Sequence, residues 1–166
     1  MKPWDQALRD AVVSGGAASF ISTLALGIAS KLEAGHAPAA LNSTSHWLWG
    51  DREAITDEVS IRHTGVGFAT HHASAYMWAV LHERLVGDWA ETSPTAAIVA
   101  GLGTAAVACT VDYTVTPRRL TPGFELRLCR PAMAAGFVAF GIGLAAAAIA
   151  RSRREEESAA FFYPAG

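Results

Sequence analysis

Residues 63–83, HTGVGFATHHASAYMWAVLHE, hold the densest chemistry in the chain: His63, His71, His72, His82 and Glu83 lie in one otherwise apolar stretch. Imidazole ligates metals when neutral, carries protons near physiological pH, and donates or accepts hydrogen bonds. Spacing separates these uses. At a helical rise of ~1.5 Å per residue, His63 is about 12 Å from His71, and His71 about 16 Å from His82. Ligands of one ion sit only ~2.0–2.2 Å from it. The segment has no HExxH motif and no histidine pair at i,i+4. A metal here therefore needs ligands from elsewhere, and the candidates are His46, Asp51, Asp57, Glu58 and Asp112, acting with His71 or His72. Bis-histidine haem ligation would need a second axial histidine from His46 or from another subunit. No cofactor is expected, and a metal or haem bound by His46, His71, His72 and Asp112 is the alternative.

On a helical wheel of ~100° per residue, His63, Gly67, Thr70, His71, Ser74, Trp78 and His82 share one arc. His72, Tyr76 and Glu83 fall near the opposite side. Both polar faces must avoid lipid, because ionisable groups are costly in hydrocarbon. This places the helix in the interior of a bundle, with polar side chains bonding neighbours or lining a small cavity. His63, His71, His72, Ser74, Glu83 and Asp112 are the residues expected to line it. Asp112 ends an apolar run, and Arg118 and Arg119 are its natural partners in sequence. The structural alternative is that the histidines only fix helix packing.

The elements that must position these residues are four apolar runs. Residues 11–30 carry no charge over a length that crosses a ~30 Å hydrocarbon core. A signal peptide would have a shorter apolar region and a cleavage site just after it, so an uncleaved span is expected. The histidine segment, 62–84, is the second. The third, 94–115, starts with Ser93-Pro94, a capping hydroxyl followed by a residue suited to the first helical turn. The fourth, 131–150, starts at Pro131 and ends at a charged tail, 151–166. Charged residues are 17% of the chain, against about 25% in typical soluble proteins, and their absence from these runs decides the class. The expectation is an all-α integral membrane four-helix bundle in one domain, 1–166, with a short interfacial helix in the first loop.

Small residues recur at four-residue spacing in the last two runs: Ala97, Gly101, Ala105 and Cys109; Ala139, Gly143 and Ala147; and Gly136, which shares a stripe with the larger Phe140. Such stripes let helix backbones approach closely within the bundle, or in a homo-oligomer or larger membrane complex. The first loop holds Asn42–Ser45 and His46-Trp47-Leu48-Trp49, whose tryptophans suit a membrane surface. In the third loop, FELRLCR reads as a short amphipathic helix. Arg118, Arg119, Arg127 and Arg130 there are candidate contacts for an anionic lipid. Lys and Arg counts on the two sides nearly balance, so the positive-inside rule discriminates little; both termini are assigned to the cytoplasmic side because the first loop is long and counts less.

LNSTSHWLWGD, HTGVGFATHHASAYMWAVLHE and DYTVTPRRLTPGFE together resemble small four-helix bacterial inner-membrane proteins of unknown function, some of which carry a sodium/proline symporter label. The resemblance covers residues 38–130 and implies a bacterial inner membrane. The symporter label conflicts with the chain itself, which has too few spans and no inverted repeat.

Other classes lack their parts. Net charge is −2 with no basic stripe, which argues against nucleic acid. There is no GxSxG elbow and no phosphate-binding loop. Cys109 and Cys129 read as free thiols. The functional expectation is a non-enzymatic accessory or small-molecule- or ion-handling membrane subunit, with a metal- or haem-dependent membrane enzyme as the alternative.

Overall fold

The computed structural model describes residues 1–162, whose regular secondary structure is all helix, with no strand. Four long helices run α1 Trp4–Ala34, α5 Val66–Ala90, α6 Pro94–Thr114 and α7 Arg130–Phe162. Three short ones occupy the first loop: α2 Ala39–Thr44, α3 His46–Trp49 and α4 Asp51–Ala54. Residues 163–166, the end of the charged tail, lie outside the described residues.

Local chemistry sets the helix ends. Ser93 Oγ accepts from Ala96 N–H at 3.1 Å and Pro94 opens α6, the start read from sequence. Gly35, at φ 79°, terminates α1 in the left-handed region where a side chain is disfavoured. Ser60 Oγ caps a π-type turn, Ile61–Gly65, that leads into α5. The last helix does not stop with its apolar run but continues through Arg151, Arg153 and Arg154, strong helix formers.

Three helices are long and apolar enough to cross a membrane: Trp4–Ala34, Pro94–Thr114 and Arg130–Ser158 of α7. α5 has the length, but its histidines and charged last turns lower its apolarity below theirs.

Long-range contacts fix the register. Against α1, α7 runs antiparallel: Leu26 packs on Gly136, Ala18 on Gly143, and Asp10 meets Arg151. α5 is antiparallel to α1, with Gly15 against Ala79 and Ser22 against His71. α6 and α7 are antiparallel through Gly101–Gly141 at one end and Tyr113–Met133 at the other. A Cβ on Gly101 would strike the Gly141 carbonyl oxygen, and one on Gly143 the Ala18 backbone. The small-residue stripes are thus used inside the chain. Their cores are alanine-rich, joined by Leu144 and Phe140. With such small side chains, backbone proximity and dispersion do the packing.

The loops between α1 and α5 and between α6 and α7 meet over one end of these helices. Asn42 is fully buried and ties the first loop together: its Nδ2 donates to Thr56 O at 2.8 Å and Glu58 O at 3.0 Å, and its Oδ1 accepts from Thr64 Oγ1 at 2.7 Å. Residues Asn42 to His46 are buried, so this part of the loop faces protein. FELRLCR does not form an amphipathic helix. It makes a single 3₁₀ turn, Phe124–Leu126, preceded by Gly123 at φ 83°, and Phe124 turns inward to 5% exposure. The buried area that Phe124 gains under the first loop outweighs a surface position.

Candidate functional site

Where the two loops cap the helices they border a partly open cavity of about 280 Å³. α5 contributes His71, Ser74 and Trp78, α6 contributes Asp112, and α7 contributes Gly136, Phe137 and Phe140. The loops supply Thr44, Trp47 and Phe124. Its wall is mainly apolar and aromatic, with few polar groups, the usual composition of a small-molecule site.

Two of those polar groups are unsatisfied. Thr44 Oγ1 and Trp78 Nε1 are buried without a hydrogen-bond partner among the described residues. The Trp78 indole faces the Asp112 carboxyl without closing a bond of good geometry. Buried polar atoms normally find partners, so each orphan marks a place where a ligand or water would bond. Asp112 also differs from its expected arrangement, having no ion pair among the described residues. Arg118 reaches Asp51 at 4.0 Å, and Arg119 donates to Trp47 O at 3.3 Å.

The histidines separate. His71 Nε2 lies 2.9 Å from Ser22 Oγ. Ser22 gives its own proton to Ala18 O at 2.7 Å, so the histidine is the donor. His71 also meets the Phe124 ring edge-on at 5.8 Å. His82 Nδ1 lies 2.8 Å from Thr104 Oγ1, which donates to Ala100 O at 2.9 Å, so His82 donates as well. His72 stacks on Phe68, and its Nδ1 is buried without a partner among the described residues. His63 approaches Ser45 Oγ at 3.4 Å, under the loop. Of the six residues expected to line one cavity, His71, Ser74 and Asp112 do so; His63, His72 and Glu83 lie elsewhere.

Glu83 belongs to a second polar centre at the opposite end of the helices. It is 1% exposed, not at a surface. Lys2 Nζ donates to Glu83 Oε2 at 2.7 Å, Asp10 Oδ2 at 2.8 Å and Glu91 Oε1 at 2.6 Å. Its three N–H bonds meet three carboxylates, so the ammonium is fully satisfied while buried. Arg151 brackets Glu83 with Nη1 and Nη2, each at 3.2 Å, and pairs with Glu91. Burial alone would pull the Lys2 ammonium below its ordinary range, but the bonds to Asp10, Glu83 and Glu91 outweigh it and raise it. Sequence offers no local signal for this centre, because its members lie up to 149 positions apart, from residue 2 to residue 151.

Asp10, Glu83 and Glu91 are also the one group of three metal-capable side chains among the described residues close enough to share an ion. The Lys2 ammonium sits between them. His46, His71, His72 and Asp112 do not form such a group. His46 instead clamps the loops: Nε2 lies 2.9 Å from Thr121 O and Nδ1 2.9 Å from Asp51 Oδ1. Trp47 Nε1 donates to the same Thr121 carbonyl at 2.8 Å. Among the loop arginines, Arg127 is committed to Asp57, while Arg118 and Arg130 are exposed.

Comparison with protein-family models, with curated proteins and with solved structures finds no match to this chain.

Proposed function

We propose that this chain is a four-span protein of a bacterial inner membrane, both termini cytoplasmic, that binds a small molecule without transforming it. The carrying observation is the 280 Å³ cavity with an aromatic wall and two unsatisfied polar atoms, Thr44 Oγ1 and Trp78 Nε1. It lies just under the ~300–1,000 Å³ range of ligand pockets, so the occupant is small.

Packing supports α5 as the fourth span. Its 25 residues extend about 37 Å, longer than the ~30 Å hydrocarbon core. It lies antiparallel along α1, and several polar groups that lower its apolarity are satisfied within the protein: His71 by Ser22, His82 by Thr104, Tyr76 by Leu8 O, and Glu83 by Lys2 and Arg151. A helix so paired beside two apolar helices shares their environment. Exposed Leu48 and Trp49 on the first loop suit a place at the lipid headgroups.

The test is a cavity-filling variant. Ser74 lines the cavity and makes no side-chain hydrogen bond among the described residues, so Ser74→Phe should fill it with little cost to the fold. Purified wild-type protein in detergent, extracted and examined by mass spectrometry, should release a small molecule in stoichiometric amount that Ser74→Phe lacks. Equal content in both would sink the cavity reading.

A further inference from the structure

We infer that the cavity selects an organic cation: a primary ammonium on a short apolar or aromatic body, its nitrogen seated between Asp112 and Thr44. This rests on the reading of the cavity as a ligand site and adds the chemical class of its occupant.

Three independent features agree. First, Asp112 places a carboxyl in the cavity with no cation paired to it among the described residues, while the nearest arginines in sequence are held by Asp51 and by Trp47 O. An anion would meet that carboxyl and no compensating charge. Second, one of the two orphan atoms, the Thr44 hydroxyl, fits an ammonium. Thr44 is 2% exposed, and its unbonded hydroxyl can accept an N–H. Trp78 Nε1–H can only donate, and the Asp112 carboxylate is the acceptor it faces, which leaves further lone pairs for the ligand. A neutral ligand with only acceptor atoms would leave Asp112 unanswered. Third, Trp47, Trp78, Phe124, Phe137 and Phe140 surround the space. Aromatic faces attract cations through the ring quadrupole, more strongly when water is excluded, and they also hold an apolar body.

Size narrows the class. A dry cavity of about 150 Å³ holds one benzene. The volume here is about 280 Å³, room for one ring with a short alkylamine chain.

The experiment uses the full chain in detergent micelles at neutral pH. Thermal stabilisation is titrated with three probes of matched shape: 4-phenylbutylammonium, its neutral isostere pentylbenzene, and the anion 4-phenylbutanoate. The expected result is saturable stabilisation by the cation at concentrations at least about tenfold lower than for either other probe, a difference of 1.4 kcal/mol. Asp112→Asn should erase that preference, and Ser74→Phe should abolish binding of all probes. Equal or better binding of the neutral or anionic probe, still abolished by Ser74→Phe, would overturn the cation assignment and leave the cavity reading standing. Absence of any saturable binding, or binding unaffected by Ser74→Phe, would overturn both.

Discussion

Lys2 Nζ donates to Glu83 Oε2 at 2.7 Å across 81 positions of sequence, and both side chains are withdrawn from solvent. This pair, with Asp10, Glu91 and Arg151, joins α1, α5 and α7 at the end of the helices opposite the cavity.

Removing the ammonium should therefore cost more than an ordinary ion pair. Lys2→Met leaves three carboxylates facing one arginine. Breaking a buried pair costs about 3–5 kcal/mol, and the surviving Arg151 contact puts this case near the lower bound. Lys2→Met with Glu83→Gln should recover part of the loss, as one uncompensated charge is gone. Thermal unfolding in detergent of the wild type, the single and the double variant checks this.

The same centre predicts a pH dependence. The folded Lys2 ammonium is raised above its ordinary value by its carboxylate partners. A raised folded-state value means that the contribution is fully present below the unfolded value of about 10.4 and fades as pH climbs through the higher folded value. The stability gap between wild type and Lys2→Met should be level from pH 7 to 10 and narrow only above that. A gap that shrinks below pH 9 would contradict the assignment.

Glycines divide by what their hydrogens face. Gly101→Ala and Gly143→Ala press a methyl into backbone of a neighbouring helix, which cannot rotate away. Each should destabilise by about 1–3 kcal/mol, the usual cost of overpacking. Gly16 and Gly103 face open space, so Gly16→Ala and Gly103→Ala should be neutral or stabilising by up to about 1 kcal/mol through helix propensity. Chemical or thermal denaturation of the four variants separates the two groups.

His46 holds the loop cap with both ring nitrogens on acceptors, the Thr121 carbonyl and the Asp51 carboxylate. His46→Ala should loosen both loops together. Hydrogen exchange at residues 45–51 and 118–124 should rise in concert while α6 stays protected.

Thr44 offers a contrast within the cavity. Its hydroxyl is buried and unbonded, so the fold gains nothing from it. Thr44→Val should leave stability unchanged or slightly raised, because an unmet polar group is removed. Affinity for 4-phenylbutylammonium should fall at least about tenfold, the loss of one hydrogen bond to a charged group of roughly 1.5–3 kcal/mol. A clear drop in thermal stability would mean that Thr44 has a structural partner.

Sequence by itself determined what depends on neighbours along the chain. The apolar runs specify long helices, and Ser93-Pro94 starts α6 where capping chemistry requires it. Small-residue stripes mark the close-packed faces, and the 3.6-residue period puts His71, Ser74 and Trp78 on one side of α5, where the cavity forms. The expected pairing of Asp112 with Arg118 or Arg119 failed because proximity in sequence says nothing about where a turn sends its side chains. Only the tertiary structure decided that Glu83 is buried beside Lys2, that His72 turns to Phe68, and that two loops close over the cavity. These are contacts between residues tens of positions apart. A helical period is set by local backbone geometry, whereas such contacts exist only once helices are registered against one another, and that register follows from backbone approach at Gly101, Gly141 and Gly143.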